Sequence, residues 1–425
     1  MKRGAAGVLL SVLVLAVVGC DGSLNLHERW GRAVEIGAVY PLSGPQGAVG
    51  EEIKQGIDLA VAIINNEHAD LNLPLAETRG LTGLGGTAIE VVYADHQSTD
   101  EGVREATEEL IRRKRVAALL GAYESDKTRI ASDIAENAGR PFLTATSTSQ
   151  ALTERDLQWF FRTTPTDTTF VTNAFQFISD LSIVQNARLQ RVAVIGEGTD
   201  FGRGFIELVR EWAPQFGREL VAEVVAPVAA GSVSAEVSRV RMAEPDVVLF
   251  AVYTEDAIRF VREFKRQDYA PPLIWANDAG FISQEFQQTL GADAAYLTSR
   301  EVWSVDITRT HPLAAQVNAL YRERYGEDLN GNSARGFIGM MTLAEAINRA
   351  GSTEPAAVRD ALRLTAIPAE QLIAPWDGIR FDETGQNTLG NGIVVQMLDD
   401  RYTLVWPYEI AVEAVVFPFP AWGAR

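Results

Sequence analysis

VEIGAVY, residues 34–40, and GEEIKQGIDLAVAIINNE, residues 50–67, decide the fold class. The first run is short and rich in β-branched residues, which is typical of a buried strand. In the second run Ile53, Ile57 and Ile64 fall on one face at helical spacing. A strand, a loop with Gly and Pro, and an amphipathic helix in succession predict the first unit of an α/β fold.

The same alternation continues along the chain. Further strands are predicted at 88–95, 116–123, 142–146, 191–198, 219–227, 245–253 and 272–278, late helices at 311–326 and 333–350, and final strands in IVVQML and YTLVWP. Strands that alternate with helices indicate parallel sheets covered on both faces. The predicted fold class is therefore α/β, with two doubly wound parallel-sheet lobes. Residues 69–87, rich in glycine and polar residues, are expected to form an exposed loop.

Length, composition and charge set the broad class of the protein. A chain of 425 residues is long for one core and fits two domains. A hydrophobic content of 47% and a charged content of 22% are ordinary for a soluble globular protein. The formal net charge of −18 is the opposite of what a phosphate-backbone binder needs, so nucleic acid is not expected as a partner.

The first residues differ in kind from the rest. Lys2 and Arg3 precede an apolar run that ends at Cys20, the single cysteine of the chain. This run resembles a bacterial lipoprotein signal, whose cysteine is lipidated and becomes the mature N-terminus. We predict a lipoprotein signal peptide at 1–20, lipidation at Cys20 and a polar tether at 21–32. The protein is then exported, periplasmic or at the cell surface, and anchored to the membrane by lipid; an uncleaved signal with a spare thiol is the alternative.

A row of hydroxyl side chains follows one predicted strand, in FLTATSTSQALT at residues 142–153. In open parallel sheets, ligands bind at the carboxyl ends of the strands. The segments GAYES, TATSTS, GEGTDFG, AVYTED and WANDAG all occupy that position. The hydroxyl row is therefore predicted to lie where a ligand would bind.

The motifs also follow a family in their order. YPLSGPQGAVG, IEVVYADHQSTD, VAALLGAYESDKT, PFLTATSTSQALT, FRTTPTD, VAVIGEGTDFGRG, PDVVLFAVYTEDA and FDETG succeed one another along the chain. Over about residues 33–405, the chain resembles the leucine/isoleucine/valine-type periplasmic binding proteins, the type I substrate-binding proteins of ABC importers. The resemblance implies a Venus-flytrap of two lobes joined by three crossings. It assigns 33–163 and 281–385 to the N-terminal lobe and 164–280 and 386–425 to the C-terminal lobe.

The resemblance also implies a set of ligand-binding residues in the cleft. In amino-acid-binding members, one lobe grips the α-carboxylate and α-amino group, and the other lobe supplies aromatic residues and an acid. The matching positions are Ser125, Thr146 and Thr148 in the first lobe and Phe201, Tyr253 and Asp278 in the second. Val49 stands where the family has a large aromatic residue, which implies a roomier or differently shaped side-chain pocket.

The chemistry of these residues is consistent with binding a carboxylate and an ammonium group. Ser125 begins a predicted helix, whose first N–H groups lack intrahelical partners and carry positive partial charge. A carboxylate can bind there without lysine or arginine, with the Thr148 hydroxyl as a further donor. Asp278 supplies the charge that an ammonium needs. A zwitterion is thus the expected ligand, and Glu124 is expected to point away from its carboxylate.

Structural explanations compete for the same residues. Ser125 could serve as an N-cap, and Thr146 and Thr148 could form an ordinary turn. Asp278 could belong to a turn, and Tyr253 and Phe201 could be core or rim aromatics.

Gly196, Gly198 and Gly202 have the spacing GxGxxxG, a weak sign of a dinucleotide loop with Glu223 as its ribose acid. His96 is expected in a surface loop or at the cleft, and FDETGQN is expected to form a turn.

These observations predict an extracytoplasmic solute-binding protein. It would capture an amino acid or a related amide and deliver it to an ABC permease. A sensory module for a receptor would use the same fold and remains an alternative. An enzyme is disfavoured, since the sequence contains neither an evident nucleophile–base pair nor a metal-ligand set. We predict no cofactor and no metal.

Overall fold

The computed structural model describes Met1, residues 33–229 and residues 231–424. Apart from Met1, the predicted signal peptide, Cys20 and the tether at 21–32 lie outside the described residues. The helices and strands below therefore concern the chain from Ala33 onward.

The first sheet is built by the first third of the chain. Its elements are β1 (Val34–Tyr40), α1 (Gly47–Ile64), β2 (Ile89–Asp95), α2 (Asp100–Glu109), β3 (Leu119–Gly121), α3 (Ser125–Asn137), β4 (Phe142–Thr144) and β5 (Phe160–Arg162). The five strands lie in the order β2-β1-β3-β4-β5, and every neighbouring pair is parallel. The predicted parallel sheet is confirmed, with β5 as an additional edge strand.

The second sheet begins after α4 (Asp167–Val184). Its first elements are β6 (Arg191–Glu197), α5 (Asp200–Trp212), β7 (Glu219–Ala226), α6 (Ser234–Met242), β8 (Val247–Ala251), α7 (Thr254–Arg266), β9 (Leu273–Ala276), α8 (Gln284–Leu290) and β10 (Thr298–Glu301). The chain then forms α9 (Pro312–Tyr325), α10 (Gly331–Ala350), α11 (Pro355–Arg363), β11 (Ala366–Pro368), β12 (Gly378–Arg380), β13 (Ile393–Leu398) and β14 (Arg401–Trp406).

The second sheet is mixed rather than wholly parallel. Its order is β14-β13-β10-β9-β8-β6-β7. The strands β6 to β10 pair in parallel, whereas β13 is antiparallel to both β10 and β14. The strands β11 and β12 form a separate two-stranded sheet. The predicted doubly wound α/β fold in two lobes is thus confirmed, with two antiparallel strands closing one edge.

The chain passes between the two sheets three times, after β5, after β10 and after β12. The second passage differs from the expected lobe ranges, which assigned everything from 281 to 385 to the N-terminal lobe. Residues 298–301 instead form β10 in the second sheet, because they pair with β9 and β13. The other lobe boundaries stay predictions.

The helices that cover the first sheet come from distant parts of the chain. α10 packs directly on α1, and the two helices approach closely at Gly56. A Cβ atom at this position would lie 1.9 Å from the carbonyl oxygen of Ser333, so only glycine allows this approach. As a result, α10 lies against the first sheet and carries its residues toward the cleft.

The loop at 69–87 is less exposed than predicted. Leu71, Leu73, Ala76 and Leu81 are buried within the main hydrophobic cluster. These apolar side chains anchor the segment, and the glycine and polar residues between them make its turns. The prediction of an exposed loop was therefore wrong for these four residues.

Candidate functional site

Each sheet contains a topological switch point, where the connections that follow two neighbouring strands run to opposite faces of the sheet. In the first sheet this point lies between β1 and β3, and in the second between β6 and β8. A crevice forms at such a switch point, outside the carboxyl ends of the strands. The segments after β3, β6 and β8 carry Ser125, Phe201 and Tyr253 into this region.

A small cavity, here called the inner pocket, lies where these segments meet. Its free volume is about 20 Å³, room for about one water molecule, so a solute can enter only when the two walls move apart. The residues that line it are Tyr123, Ser125, Thr146, Ser147, Thr148, Phe201, Tyr253, Asp278, Ala279, Arg300 and Arg335. All six residues proposed from the sequence therefore surround one cavity, although their role as ligand contacts stays a prediction.

Ser125 is the first residue of α3, and the N-cap position belongs to Glu124. The N-cap explanation for Ser125 is thus wrong. Its hydroxyl oxygen accepts a hydrogen bond from the backbone N–H of Ser149 at 3.3 Å. Its own N–H points at the hydroxyl oxygen of Tyr253, at the long distance of 3.4 Å. A donor this weakly engaged at a helix start is available to an anion.

The hydroxyl loop at 146–149 has unused hydrogen-bonding capacity. Thr146 is buried, and its Oγ1 has no hydrogen-bond partner among the described residues. A buried hydroxyl without a partner costs free energy unless a ligand or water engages it. The Thr148 carbonyl oxygen accepts from the N–H of Asp167 at 2.8 Å, which fixes the loop's backbone. An ordinary turn explains the backbone of this loop and leaves the Thr146 hydroxyl unexplained.

Arg162, the last residue of β5, supports the hydroxyl loop from behind. Its guanidinium is fully buried and donates to the carbonyl oxygens of Ser149 at 2.7 Å and Ser147 at 3.3 Å. It also donates to Oε1 of Gln386 at 2.5 Å. Burial lowers its pKa to about 10, so the group stays charged at neutral pH. Sequence reasoning did not identify this supporting residue.

Aromatic rings form the other side of the inner pocket. The Tyr253 ring packs between those of Phe201, at 5.4 Å between centroids, and Tyr123, at 5.7 Å. Tyr123 has a φ of 85°, which is rare for a bulky residue. The Ser147 hydroxyl donates to the Tyr123 carbonyl oxygen at 2.8 Å and helps to hold this backbone. These rings line the pocket, so their interpretation as plain core residues is not sufficient.

Asp278 has a different role from the predicted one. Its Oδ2 accepts from the guanidinium groups of both Arg300 and Arg335, and all three side chains are buried. A carboxylate engaged by two arginines is not free to pair with a ligand ammonium. The sequence analysis did not anticipate that two guanidinium groups line the pocket, and whether a carboxylate needs them stays untested. The lining residues carry a net positive charge, which suits an anionic group.

The charge of this cluster is modulated by Glu301 at the end of β10. Its Oε2 lies 3.6 Å from Nη2 of Arg335. Burial, together with repulsion from Asp278, raises the pKa of Glu301 to about 8, so the group is mainly protonated at neutral pH. Arg335 keeps its Nε without a hydrogen-bond partner in the described chain. That donor remains available within the pocket wall.

A larger cavity, here called the outer cavity, adjoins the inner pocket at Tyr253. It measures about 1140 Å³, counting the part open to solvent. Its walls include the loop after β1, the starts of α3 and α5 and the loop after β7. Glu124 lines this cavity and not the inner pocket, so it points away from the proposed carboxylate site as expected.

Local packing and ion pairing explain the glycine-rich turn and Glu223, which the sequence analysis had considered as a nucleotide site. Gly202 packs against the backbone of Glu197, where a Cβ atom would lie 2.2 Å from its carbonyl oxygen. Glu223 forms an ion pair with Arg210 at 2.5 Å, so it has a partner other than a ribose. These contacts explain the glycine-rich turn without a nucleotide. Val49 is buried in the core and lines neither cavity, so the predicted effect on the side-chain pocket finds no support.

The structure also shows where His96 and the segment FDETGQN lie. His96 is fully buried, so its placement in a surface loop was wrong. In FDETGQN, Asp382 accepts hydrogen bonds from Thr384 and Gln386, which confirms a turn. Within residues 33–229 and 231–424, no group of three or more His, Cys, Asp or Glu side chains could hold a metal ion. In the same part of the chain, no helix has the length and apolar character needed to cross a bilayer.

The chain is similar to known proteins over most of its length. Residues 33–400 match the periplasmic binding protein family. The Leu/Ile/Val-binding protein homolog 7 of Brucella suis is 26% identical over 392 residues, covering 91% of this chain and 94% of the relative.

Two solved structures share the fold. A leucine-binding protein from Thermotoga maritima superposes with a TM-score of 0.75 at 20% identity, covering 88% of this chain and 97% of the other. A branched-chain amino acid transporter substrate-binding protein from Streptococcus pneumoniae, in complex with isoleucine, gives a TM-score of 0.73 at 22% identity and covers 91% and 100% of the two chains.

Proposed function

The chain belongs to the periplasmic binding protein family, and from this premise we propose that it captures a small carboxylate-bearing solute between its lobes. The solute is an amino acid or a related amide, which the protein delivers to an ABC importer. One observation carries the proposal: six residues predicted from the sequence, on segments that follow strands of both sheets, line a single small cavity. Families of this kind work outside the cytoplasm, so the proposal includes export, with a lipid anchor at Cys20.

The carboxylate is proposed to bind at the first lobe. Its proposed donors are the Ser125 N–H and the Nε of Arg335, which has no hydrogen-bond partner among the described residues, together with the Thr148 hydroxyl predicted from the sequence. Charge-assisted bonds from a buried guanidinium are stronger than neutral ones. The arrangement replaces the uncharged cradle that the sequence predicted, since Arg335 adds a full charge to the helix start.

Capture is proposed to favour the closed state, because the ligand contacts both walls of the pocket. In this structure the walls already touch, through the Ser125 and Tyr253 contact and through an ion pair of 2.7 Å between Arg129 and Asp200. Contacts made only when the lobes approach stabilise closure by hinge motion. The permease would then distinguish the closed protein from the open one.

The test combines ligand identification with mutagenesis. Mass spectrometry of small molecules that copurify with the protein identifies the class of solute, and calorimetry with amino acids and amides measures affinity. We expect Thr148→Ala to weaken binding by about 1 to 3 kcal/mol, because the carboxylate loses a hydroxyl donor. Ser125→Ala keeps the backbone N–H but removes the acceptor of the Ser149 N–H, so we expect it to weaken binding by loosening the hydroxyl loop.

A matched control keeps this test specific. Thr308→Ala removes a hydroxyl that donates to the Val305 carbonyl oxygen at 2.6 Å, and Thr308 lines neither the inner pocket nor the outer cavity. Its affinity should equal that of the wild type. Undiminished affinity in both pocket variants would refute the assignment of the pocket, and turnover of the bound solute would refute a pure binding role.

A further inference from the structure

The outer cavity is strongly acidic. Seven of the residues that line it are aspartate or glutamate, whereas three are lysine or arginine. Five of the seven acids have ion-pair partners. The pairs are Lys127 with Asp100 and Asp126, Arg129 with Asp200, and Arg259 with Glu255 and Asp256. Most of these acids lie in first turns of helices, where negative charge is favourable. Their presence is therefore explained without a ligand.

Glu124 is not explained in this way. It is 5% exposed, makes no capping bond to α3, and its Oε2 has no hydrogen-bond partner among the described residues. Nε2 of His96 lies 3.8 Å away but is hydrogen-bonded to the Ala122 carbonyl oxygen at 2.9 Å. Nδ1 of His96 accepts from the N–H of Ser98, so the imidazole is the neutral tautomer and provides no counter-charge. Within the described residues, this buried carboxyl group thus faces the cavity without a lysine or arginine in ion-pair contact, since the ammonium of Lys127 pairs with Asp100 and Asp126.

Glu197 is a second acid of this kind and comes from the other sheet. It ends β6, is 2% exposed, and its Oε2 accepts from the backbone N–H of Tyr253 at 2.9 Å. It forms no ion pair within the described chain. Glu124 and Glu197 line the same cavity, one from each lobe. Both would gain from a positive group placed between them.

We propose that the outer cavity is a subsite for a positively charged group of the bound solute, held between Glu124 and Glu197. This inference rests on the proposed function, because the anionic group of the same solute occupies the inner pocket. Tyr253 lines both cavities, so the solute extends past its ring from one to the other. The class of solute is an amino acid with a second, cationic end, an amine or a guanidinium.

The chemistry of the two cavities is complementary to such a solute. An ammonium offers three donors and a guanidinium five, which can satisfy the open oxygens of both carboxyl groups. The inner pocket, with Arg335 and Arg300 against Asp278, is positive and suits the anionic end. The net charge of −18 also attracts cationic solutes toward the protein over longer distances. A purely apolar side chain would leave Glu124 and Glu197 buried and unpaired.

Two pairs of solutes of similar shape and different charge test the proposal. Lysine and norleucine share a six-carbon chain, and only lysine carries a terminal ammonium. Arginine and citrulline are nearly isosteric, with a cationic guanidinium in the first and a neutral ureido group in the second. Calorimetry on the full chain at pH 8.5 should show at least tenfold tighter binding of the cationic member in one or both pairs. The double variant Glu124→Gln, Glu197→Gln should remove most of that preference, mainly by weakening the binding of the cationic member.

Controls separate this proposal from the proposed function. Glu211→Gln, at an exposed position of α5, should keep the wild-type preference. If the neutral member of each pair binds within threefold of the cationic member, the cation subsite is refuted, while dependence of that binding on Thr148 still supports solute capture. If none of the four amino acids binds, the cation subsite is refuted as well, and a copurifying solute of another class then decides the proposed function.

Discussion

Replacing Asp278 by asparagine tests the role that the structure gives this residue. The change keeps the size of the side chain and an oxygen that can accept from the Ala279 N–H, now at 2.6 Å. Asparagine has a side chain of the same shape, so the change leaves the backbone requirement at φ 62° and ψ −127° unaltered. What it removes is the one charge shared by Arg300 and Arg335, whose side chains are 2% and 3% exposed.

The expected loss follows from this geometry. Removing one partner of a buried ion pair costs about 3 to 5 kcal/mol, because the remaining charge stays buried. Glu301 reduces this cost, since its pKa of about 8 is raised in part by Asp278 and will fall when that charge is absent. An ionised Glu301 then partly neutralises Arg335. We therefore expect the free energy of unfolding to fall by about 3 kcal/mol at pH 7, the lower end of that range.

The same reasoning gives a pH dependence. In the wild type, Glu301 is protonated when folded and ionised when unfolded between pH 4.5 and about 8, so its contribution to stability decreases as the pH rises. In the variant this decrease is smaller, because the folded-state pKa is lower. The difference in free energy of unfolding between the two proteins should thus be larger at pH 5.5 than at pH 8.

Urea unfolding followed by circular dichroism measures the loss. Asp400→Asn is the matched control, since Asp400 has the same φ of 62° but is exposed between β13 and β14. It should change the free energy of unfolding by less than about 0.5 kcal/mol, as is usual for a surface substitution. A similar small change in Asp278→Asn would show that the two guanidinium groups do not depend on this carboxylate.

Two further predictions concern groups behind and beside the pocket. Arg162→Lys retains the charge but cannot reach both carbonyl oxygens of the hydroxyl loop and Gln386, so we expect a loss of about 2 to 4 kcal/mol in unfolding free energy. Exposed Arg322→Lys is its control in urea titrations, and equal midpoints would contradict the supporting role. Burial raises the pKa of both Glu124 and Glu197 to about 8, so each should lower the free energy of unfolding by about 1.4 kcal/mol per pH unit from pH 4.5 to 8. Glu197→Gln should make the decrease of the free energy of unfolding with pH smaller by about 1.4 kcal/mol per pH unit over this range. An unchanged pH profile would contradict the burial of an ionisable group at this position.

Most of the fold followed from the sequence, because buried parallel strands appear as short apolar runs. β10 shows where this signal ends. Its residues Thr298, Ser299, Arg300 and Glu301 are polar, yet all four are buried. Thr298 and Ser299 hydrogen-bond to carbonyl oxygens of β9, and Arg300 and Glu301 belong to the charge cluster. A strand whose side chains are satisfied by tertiary partners cannot be recognised from hydropathy.

The site was predictable where it depends on local structure. Ser125 and the threonines follow strands directly, so strand ends and hydroxyl patterns located them. Arg335 lies 57 residues from Asp278 and enters the pocket only because α10 packs on α1. A single arginine in the apolar run of α10 was the available signal. Asp278 was located correctly, but its pairing with two arginines depends on that same distant packing.

The position of Tyr253 restricts how this protein can acquire new ligands. One ring forms part of the wall of both cavities, its hydroxyl meets the first lobe, and its N–H is held by Glu197. Any replacement there alters the two compartments and the seam between the lobes at once. Selectivity can therefore be re-engineered stepwise only at side chains that border a single compartment, such as Thr146 on one side or Glu124 on the other.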